Sequence, residues 1–474
     1  MPKSKLSRRT FLKGAATAAA ATSFPASFTI AGTKSSGRVL GANDTIRVGV
    51  AGLHGRGGSH IGAFARMGKV QVTHLIDPDS QLFKGRAGAV KKMCHLDPKC
   101  FQDIRKALED KELDAVSVAT CNHWHSLITV WACQAGKDVY VEKPCSHNVF
   151  EGRQCVEAAR KYKRIVQHGT QSRSGGHWRT LKDIAAGKRG KLVLVRGTCF
   201  KQRRSIGHKK ITNPPSGLDF DIWLGPAPKQ PYHGNLVHYN WHWFWDTGNG
   251  DIGNNAVHNM DVCRWTMPNA TLPKSVVSLG GRFVWNDQAQ TPNLQLALYD
   301  FGDVKLLYEV SNIKTRGGRP RTVFETGTKA EPIEIKTPPD VKNPASERGP
   351  GGDIFKNFIA CVRSRKPEDL DAHILEAHYS SALCHLPNIS YRLGKDVRYS
   401  DQTKSLGDDK ETVRSLEWFR DTLKDNGLKL EETTYRLGRA LKFDPETEKF
   451  IGDDEANQLL TRPYRAPFVV PETV

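Results

Sequence analysis

From residue 45 onward the apolar runs are short, and glycine-rich or amphipathic stretches separate them. Thr45-Ile46-Arg47-Val48-Gly49-Val50-Ala51-Gly52 is a β-rich run ending in glycine, followed by Leu53-His54-Gly55-Arg56-Gly57-Gly58. A helical pattern begins near Ser59 and carries Ile61, Phe64 and Ala65; a second strand, Val70 to Ile76, ends at Asp77. Leu113 to Thr120 is an apolar run of the kind buried in a parallel sheet, and it ends in Cys121-Asn122-His123-Trp124-His125. A helix is expected from Ser126 to Ala135, capped by Gly136. Asp138-Val139-Tyr140-Val141 then leads into Glu142-Lys143-Pro144.

Beyond Gly169-Thr170-Gln171 the pattern changes. Strands are expected at Leu192–Thr198, Val276–Leu279, Leu294–Tyr299 and Val304–Val310, separated by long polar and aromatic loops. Gly352–Arg363 and Ala372–Leu386 read as helices returning to the first domain. Glu411–Asn426 reads as an amphipathic helix closed by Gly427. Tyr391-Arg392-Leu393-Gly394 recurs as Tyr435-Arg436-Leu437-Gly438, which suggests two similar glycine-capped helix ends. The proline-rich tail, Leu459 to Val474, is expected to wrap the surface or a neighbouring subunit.

The chain has 474 residues and a formal charge of +20. Seven of the positive charges precede Asp44, the first acidic residue, and among them Ser7-Arg8-Arg9-Thr10-Phe11-Leu12-Lys13 matches a twin-arginine export signal. The Ala-rich run after it, Gly14 to Ala21, is too short to span a bilayer, so it reads as a signal and not a stable membrane anchor. That route exports folded proteins, commonly ones that load a cofactor first, and it predicts a periplasmic or otherwise exported protein. The later basic clusters, Lys188-Arg189-Gly190-Lys191, Arg203-Arg204 and Lys209-Lys210, form no sustained stripe, which argues against a nucleic-acid partner. They read first as a solvated face and second as an attraction for an acidic saccharide. The ten cysteines sit mostly in apolar patterns and read as buried free thiols, because the chain folds before export.

The strand, glycine loop, helix and second strand from Ile46 to Asp77 follow the dinucleotide-binding layout. A helix N-terminus presents free N–H groups and a positive dipole end to a pyrophosphate. Asp77 lies 20 residues after Gly57, where an acid takes the ribose hydroxyls and favours NAD over NADP. In G-x-G-x-x-G register His54 replaces the middle glycine. The candidate cofactor contacts are Gly52, His54, Gly55, Arg56, Gly57, Asp77, Thr120, Asn122, His125, Glu142 and Lys143. Cys121, His123 and His125 could alternate on a strand as metal ligands, but no fourth ligand is evident, and no metal is expected.

Tyr239-Asn240-Trp241-His242-Trp243-Phe244-Trp245-Asp246 has three tryptophans in five residues, suited either to stacking on sugar rings or to an aromatic core. A helix is expected from about Gly253, and on it Asn254, His258 and Asp261 share one face.

The stretch from 45 to 170 resembles the glucose–fructose oxidoreductase / inositol dehydrogenase / MocA-like family. The residues that carry the resemblance are the loop from Gly52 to Gly57, Ala119-Thr120-x-Asn122-x-x-His125, and above all Gly136-Lys137-x-Val139-x-Val141-Glu142-Lys143-Pro144. Cys121 stands where the family commonly has proline. The resemblance implies an α/β Rossmann N-terminal domain followed by an α+β domain with an open, largely antiparallel sheet, through which dimers or tetramers would form. The twin-arginine motif places the signal and linker start at 1–32, and the resemblance places the nucleotide domain at 44–170. The substrate and oligomerisation domain follows at 171–400, and 401–474 is left as a helical, wrapping extension. It also implies a catalytic set: Lys143 from Glu-Lys-Pro, and a D-x-x-x-H pair that maps to Asn254 and His258. Asn254 in place of the aspartate puts a carboxylate relay in doubt. Gln171, Tyr239, Trp241, His242, Trp243 and Asp261 join these three as candidate substrate contacts.

Oxidising a carbinol needs a hydride acceptor, a base for the hydroxyl proton and a cation for the developing alkoxide. Lys143 suits the last role and His258 the base. The first reading is therefore an exported NAD(P)-dependent oxidoreductase of a sugar, polyol or glycoside, holding its cofactor tightly. Relatives of the family suggest a second, a glycoside hydrolase that oxidises C3, eliminates the substituent, adds water and re-reduces the ketone. The third is a catalytically silent saccharide-binding protein, against which the intact Glu142-Lys143 pair argues.

Overall fold

A computed structural model describes residues 44–174, 178–267, 269–315, 321–326, 333–336, 353–400 and 406–474. The twin-arginine run lies outside the described residues. Six strands form the first sheet: β1 (Ile46–Ala51), β2 (Val70–Ile76), β3 (Lys99–Phe101), β4 (Ala115–Val118), β5 (Asp138–Val141) and β6 (Val166–His168). Their order is β3-β2-β1-β4-β5-β6, and every pairing is parallel. The reversal at β1, with neighbours on both sides and β4 reached by crossing over, creates the crevice where such sheets bind ligands. The apolar runs read from the sequence are β1, β2, β4 and β5, and helices cover both faces of the sheet.

Two helices start earlier than the sequence suggested. The first spans Gly55–Ala65, four residues ahead of Ser59, with His54 at its N-cap. The second spans Asn122–Gln134, so His123 and His125 belong to its first turn and do not alternate with Cys121 along a strand. That removes the strand geometry on which a three-ligand metal site would rest. Among the described residues no group of three or more His, Cys, Asp or Glu could hold a metal.

The second sheet contains β7 (Leu192–Phe200), β8 (Ser275–Gly281), β9 (Leu294–Asp300), β10 (Lys305–Ser311), β11 (Arg321–Thr326), β12 (Ile333–Lys336), β13 (Lys395–Arg398) and β14 (Thr434–Leu437). Its order is β12-β11-β7-β10-β9-β8-β14-β13. Among the described strands of this sheet only β7 and β10 pair in parallel, and the other pairs are antiparallel. β15 (Leu441–Asp444) also pairs with β8, and with β16 (Lys449–Phe450). Residues beyond 400 are thus built into the sheet and are more than an extension around it.

The repeated Tyr-Arg-Leu-Gly motif is a correction to the sequence reading. Its first copy ends the helix Ile374–Arg392, but its second lies on β14. The copies are neighbours: a Cβ at Gly394 would stand 2.4 Å from the Leu437 carbonyl oxygen. The amphipathic pattern near 411 is the helix Lys410–Asp425, capped by Asp409. Its Phe419 and Leu423 pack on Val277, Leu279, Leu294 and Leu296 of the sheet. The sheet face that the resemblance offers to a partner subunit is therefore covered in part by the chain's own helix.

Helices Ile354–Ser364 and Ile374–Arg392 do return to the first domain. Ile354 and Phe358 join the core beneath β1 and β2, while Leu383 and Leu386 pack in the second-domain core. All ten cysteines are free, and seven are buried. The tail settles on its own nucleotide domain: Phe468 is 2% exposed and meets Trp124 edge-on with ring centroids 5.4 Å apart. Val470 and Val474 join the same core. Phe468→Ala should lower the unfolding free energy by about 3 kcal/mol through the cavity it leaves. Urea denaturation followed by tryptophan fluorescence checks this, with an earlier transition expected.

Candidate active site

The glycine loop is shaped by how closely it runs to neighbouring backbone. Gly52 has φ +83°, and a Cβ there would lie 2.6 Å from the Ala119 carbonyl. A Cβ on Gly57 would fall 1.7 Å from the Gly52 oxygen, so Gly57 serves the loop's close packing and does not line the cleft. Asp77 clasps the loop from the end of β2. Its Oδ2 accepts the Leu53 N–H at 2.7 Å and its Oδ1 accepts the Asp79 N–H at 2.9 Å. Burial raises its pKa to about 6 despite those two donors. The helix that follows has no acid in its first turn and no side chain capping its first amides. A loop with no room for a Cβ at Gly52 or Gly57, open helix amides and a carboxylate at the end of β2 fit the pyrophosphate and ribose of a dinucleotide.

At the end of β5, Glu142 is buried and collects donors from the loop and its helix. Arg56 Nε donates to Oε1 at 2.7 Å, His60 Nε2 donates to the same oxygen at 3.1 Å, and the Lys143 N–H reaches Oε2 at 3.3 Å. His60 Nδ1 lies 2.7 Å from Ser117 Oγ. Burial alone would push the carboxyl pKa up. The His60 hydrogen bond and the charges of His60, Arg56 and Lys143 instead hold it well below the ordinary value. Lys143 extends from here into the cleft, where its Nζ donates to the Asn254 carbonyl at 2.5 Å and lies 3.4 Å from Asn254 Oδ1. Its pKa is lowered, chiefly by burial and also by the charges of Arg56 and Lys201, against the pull of Glu142 and Asp251. The two neighbours thus move in the same direction for different reasons: donors outweigh burial at Glu142, and burial outweighs the carboxylate at Lys143.

The helix expected from Gly253 is two helices, Gly250–Asn254 and Ala256–Trp265, broken at Asn255. Asn254 and His258 both line the cleft, and the His258 pKa falls to about 4 through burial and then the charge of Lys143. It is neutral at neutral pH. Asp261 does not join them. It is fully buried and holds Arg173 through Nε and Nη2, both at 2.8 Å, and the Ser380 hydroxyl at 2.7 Å. Spacing gives the helix face, but Arg173 from the chain after β6 reaches that carboxylate first.

A cavity of about 440 Å³ runs from Asp77 and Gln102 at one end to Asn254 and His258 at the other. It is also lined by Gly52, His54, Gly55, Arg56, Thr120, Asn122, His125, Glu142, Lys143, Gln171, Tyr239, Trp241 and His242. His125 is tied down at both ring nitrogens, 2.6 Å from the Pro144 oxygen and 3.0 Å from that of Thr120. Asn122 donates to Asn249 Oδ1 at 3.1 Å. Trp243 is absent from the cavity lining: it is buried, with the Arg203 guanidinium 5.3 Å from its ring centre. Trp241 stacks on His242 at 3.6 Å and belongs to an aromatic core with Trp223 and Phe244.

Sequence reasoning missed His60, Asp251, Asn255 and His238. One signal for His60 existed: Arg56 and His60 stand at i and i+4, where two donors on one helix face can converge on a carboxylate. His238 carries no such signal. It comes from the second domain, stacks on His54 at 4.6 Å and bonds Asp79 at 3.0 Å, joining the two sides of the cleft.

The fold and cleft define a two-domain, NAD-binding oxidoreductase, and comparison with known proteins agrees. Residues 46–170 match the model of an oxidoreductase family with an NAD-binding Rossmann fold, and residues 192–284 and 426–470 match its C-terminal alpha/beta domain. Residues 5–25 match a twin-arginine translocation signal, which directs the protein to export. The chain belongs to the glucose–fructose oxidoreductase / inositol dehydrogenase / MocA family. Similar curated proteins include a glycosyl hydrolase family 109 protein of Saccharopolyspora erythraea, 28% identical over 35% of this chain and 37% of that one. Another is an inositol 2-dehydrogenase of Leifsonia xyli subsp. xyli, 30% identical over 39% of this chain and 54% of that one. The chain thus spans only about 37–54% of the length of these curated relatives. Among solved structures, the WlbA dehydrogenase of Bordetella pertussis in complex with NADH and UDP-GlcNAcA has the same fold. Its TM-score is 0.56 at 17% identity, over 73% of this chain and 97% of that one. No helix among the described residues is long and apolar enough to cross a membrane.

Asp77 gives this site a pH signature. Its folded pKa of about 6 lies above the ordinary 3.8, so the folded protein binds the proton more tightly than the unfolded chain. The resulting stability is complete below about 3.8 and is lost as pH rises through about 6. Asp77→Asn should remove that component, on the order of 3 kcal/mol for a shift of about two units. Melting temperatures of cofactor-free wild type and variant across this window check it: the difference between them should change with pH.

Proposed function

We propose that the protein oxidises a carbinol of a sugar, polyol or glycoside, or reduces the corresponding carbonyl, outside the cytoplasm, with NAD in preference to NADP. The observation that supports this best is the single cavity that Lys143 and His258 share with the glycine loop and Asp77. Bound nicotinamide would supply the hydride acceptor and donor. Lys143, its pKa lowered by burial, holds the substrate oxygen and stabilises charge developing on it. His258, neutral above about pH 4, takes the hydroxyl proton directly or through Lys143. Asn254 cannot titrate; it orients the Lys143 ammonium through its carbonyl. Gln171, Tyr239, Trp241 and His242 shape the substrate end, while Trp243 and Asp261 hold the wall behind it.

The cofactor is held tightly in this reading, because second-domain chain is bonded across the nucleotide end. The Ser80 N–H donates to the Gly217 carbonyl at 3.0 Å, the Asp219 N–H to that of Pro78 at 2.9 Å, and Gln102 Nε2 to Gly217 at 3.0 Å. The same closure favours a second reading, a glycoside hydrolase that returns its cofactor to the starting state in each turnover. The similarity to a glycosyl hydrolase family 109 protein points the same way.

Denaturing the purified exported protein and weighing the released nucleotide tests the reading first. Stoichiometric NAD(H) is expected; NADP(H) would overturn the role given to Asp77, and no nucleotide, with no binding of added NAD, would sink the enzyme reading. Lys143→Met should keep the nucleotide but lower kcat/KM by about 10³-fold or more, as expected when a group stabilising transition-state charge is lost. In the wild type the acid limb of kcat/KM should fall near pH 4, the value for His258, and not near 6.5. His258→Gln should abolish that limb.

A further inference from the structure

The basic run that reads in the sequence first as a solvated face has its two ends bonded beside the cleft. From Lys201 to Leu218 the chain has Lys201, Arg203, Arg204, His208, Lys209 and Lys210 and no acidic residue. Its start flanks the reaction end: Lys201 Nζ donates to Asn255 Oδ1 at 3.1 Å, and Asn255 lines the cavity beside His258. Its finish flanks the nucleotide end, where Gly217 accepts from Ser80 and Gln102.

Nearby acids are already matched. Arg56 matches Glu142. Asp251, fully buried, is held by Arg203 at 3.1 Å and by the side-chain amides of Asn255 and Asn312. Asp287, beneath the run, accepts from Arg282, Ser205 and the Ile206 N–H. Arg203 is the only member of the run in an ion pair among the described residues. Lys201 is therefore an exposed cation at the rim of the reaction end, bonded there to a neutral amide oxygen.

We propose that the cleft takes an anionic saccharide: the reacting carbinol faces Lys143 and His258, and a carboxylate or sulfate ester of the same or the adjoining sugar is held by Lys201, with the basic run behind it. An ammonium is a compact point charge with no preference for a planar partner, so either anion satisfies it. The surrounding cations raise the local concentration of such ligands. This inference rests on reading the cleft as a carbinol site.

The test is calorimetric titration of the NAD-loaded protein with matched probes: the methyl glycosides of glucose, galactose and mannose, the corresponding methyl glycuronides, and the corresponding 6-sulfates. At least one anionic probe should bind about tenfold more tightly than its neutral partner at low salt. Lys201→Met should close that gap, Lys201→Arg should retain it, and about 0.5 M sodium chloride should shrink it. Preference for the glycuronide identifies a carboxylate, and preference for the 6-sulfate identifies a sulfate. Equal or weaker binding of every anionic probe, a gap that survives Lys201→Met, or no binding by any probe overturns the inference. Cofactor reduction read on the same mixtures separates the two claims. Reduction by neutral sugars without charge preference removes the inference and leaves the oxidoreductase reading. Charge-selective binding without reduction keeps the anion contact at Lys201 and removes net oxidation of these probes.

Discussion

The buried carboxylate of Glu142 is the point on which the site depends. It stands at the end of β5, where the chain turns into Lys143-Pro144, and it is held by two side chains from the helix that opens the nucleotide domain. A buried charge survives only when it is matched, and stripping one partner from such a pair typically costs about 3–5 kcal/mol. Arg56 and His60 therefore stabilise more than Glu142. They fix the position of Lys143 relative to the glycine loop, so the group proposed to hold the substrate oxygen is tied to the segment proposed to hold the cofactor. A Cβ at Gly169 would stand 3.0 Å from the same carboxylate, so the end of β6 also closes on it.

The parts of this arrangement that were legible in the sequence are those made by consecutive residues. The apolar runs gave β1, β2, β4 and β5, and Glu142-Lys143-Pro144 stood out because it follows such a run. The parts that were not legible are made across distance. Nothing near Asp261 announces Arg173, 88 residues away, so a polar residue at the right helical spacing was read as facing the cleft. The Tyr-Arg-Leu-Gly repeat suggested two helix ends, yet the second copy is held as a strand by pairing of Arg436 and Leu437 with Gly280 and Leu279. Periodicity cannot register a partner that lies 156 positions earlier.

The aromatic run from 239 to 245 shows the same limit from the other side. Its composition suited a sugar platform, and the structure divides it. Tyr239 is 55% exposed and Trp241 touches the cavity, whereas Trp243 and Phe244 are buried. Much of the aromatic surface fastens the second domain to the first. Trp124 Nε1 donates to the Ile222 and Trp223 carbonyls, and His123 bonds the Trp223 and Thr247 oxygens from the same helix turn. Gly225 lies so close to Trp124 that a Cβ would stand 2.2 Å from the indole. Of the residues considered as metal ligands in the sequence, His123 thus pins the second domain to the first, while His125 is held within its own domain by the Pro144 and Thr120 oxygens.

This fastening bears on how a nicotinamide enzyme can work after export. The twin-arginine route carries folded chains, so a cofactor bound in the cytoplasm can travel inside its domain. The second domain spans the nucleotide end by backbone hydrogen bonds around Gly217 and Asp219, and the His54–His238 stack closes the side next to the glycine loop. Releasing the nucleotide would mean parting these contacts together with the aromatic core beneath them. A site built this way favours reactions in which each hydride taken is given back while the nucleotide stays bound. That constraint applies equally to an oxidoreductase pairing two substrates and to a hydrolase restoring its own ketone, which is why both remain chemically natural for one arrangement of Lys143 and His258.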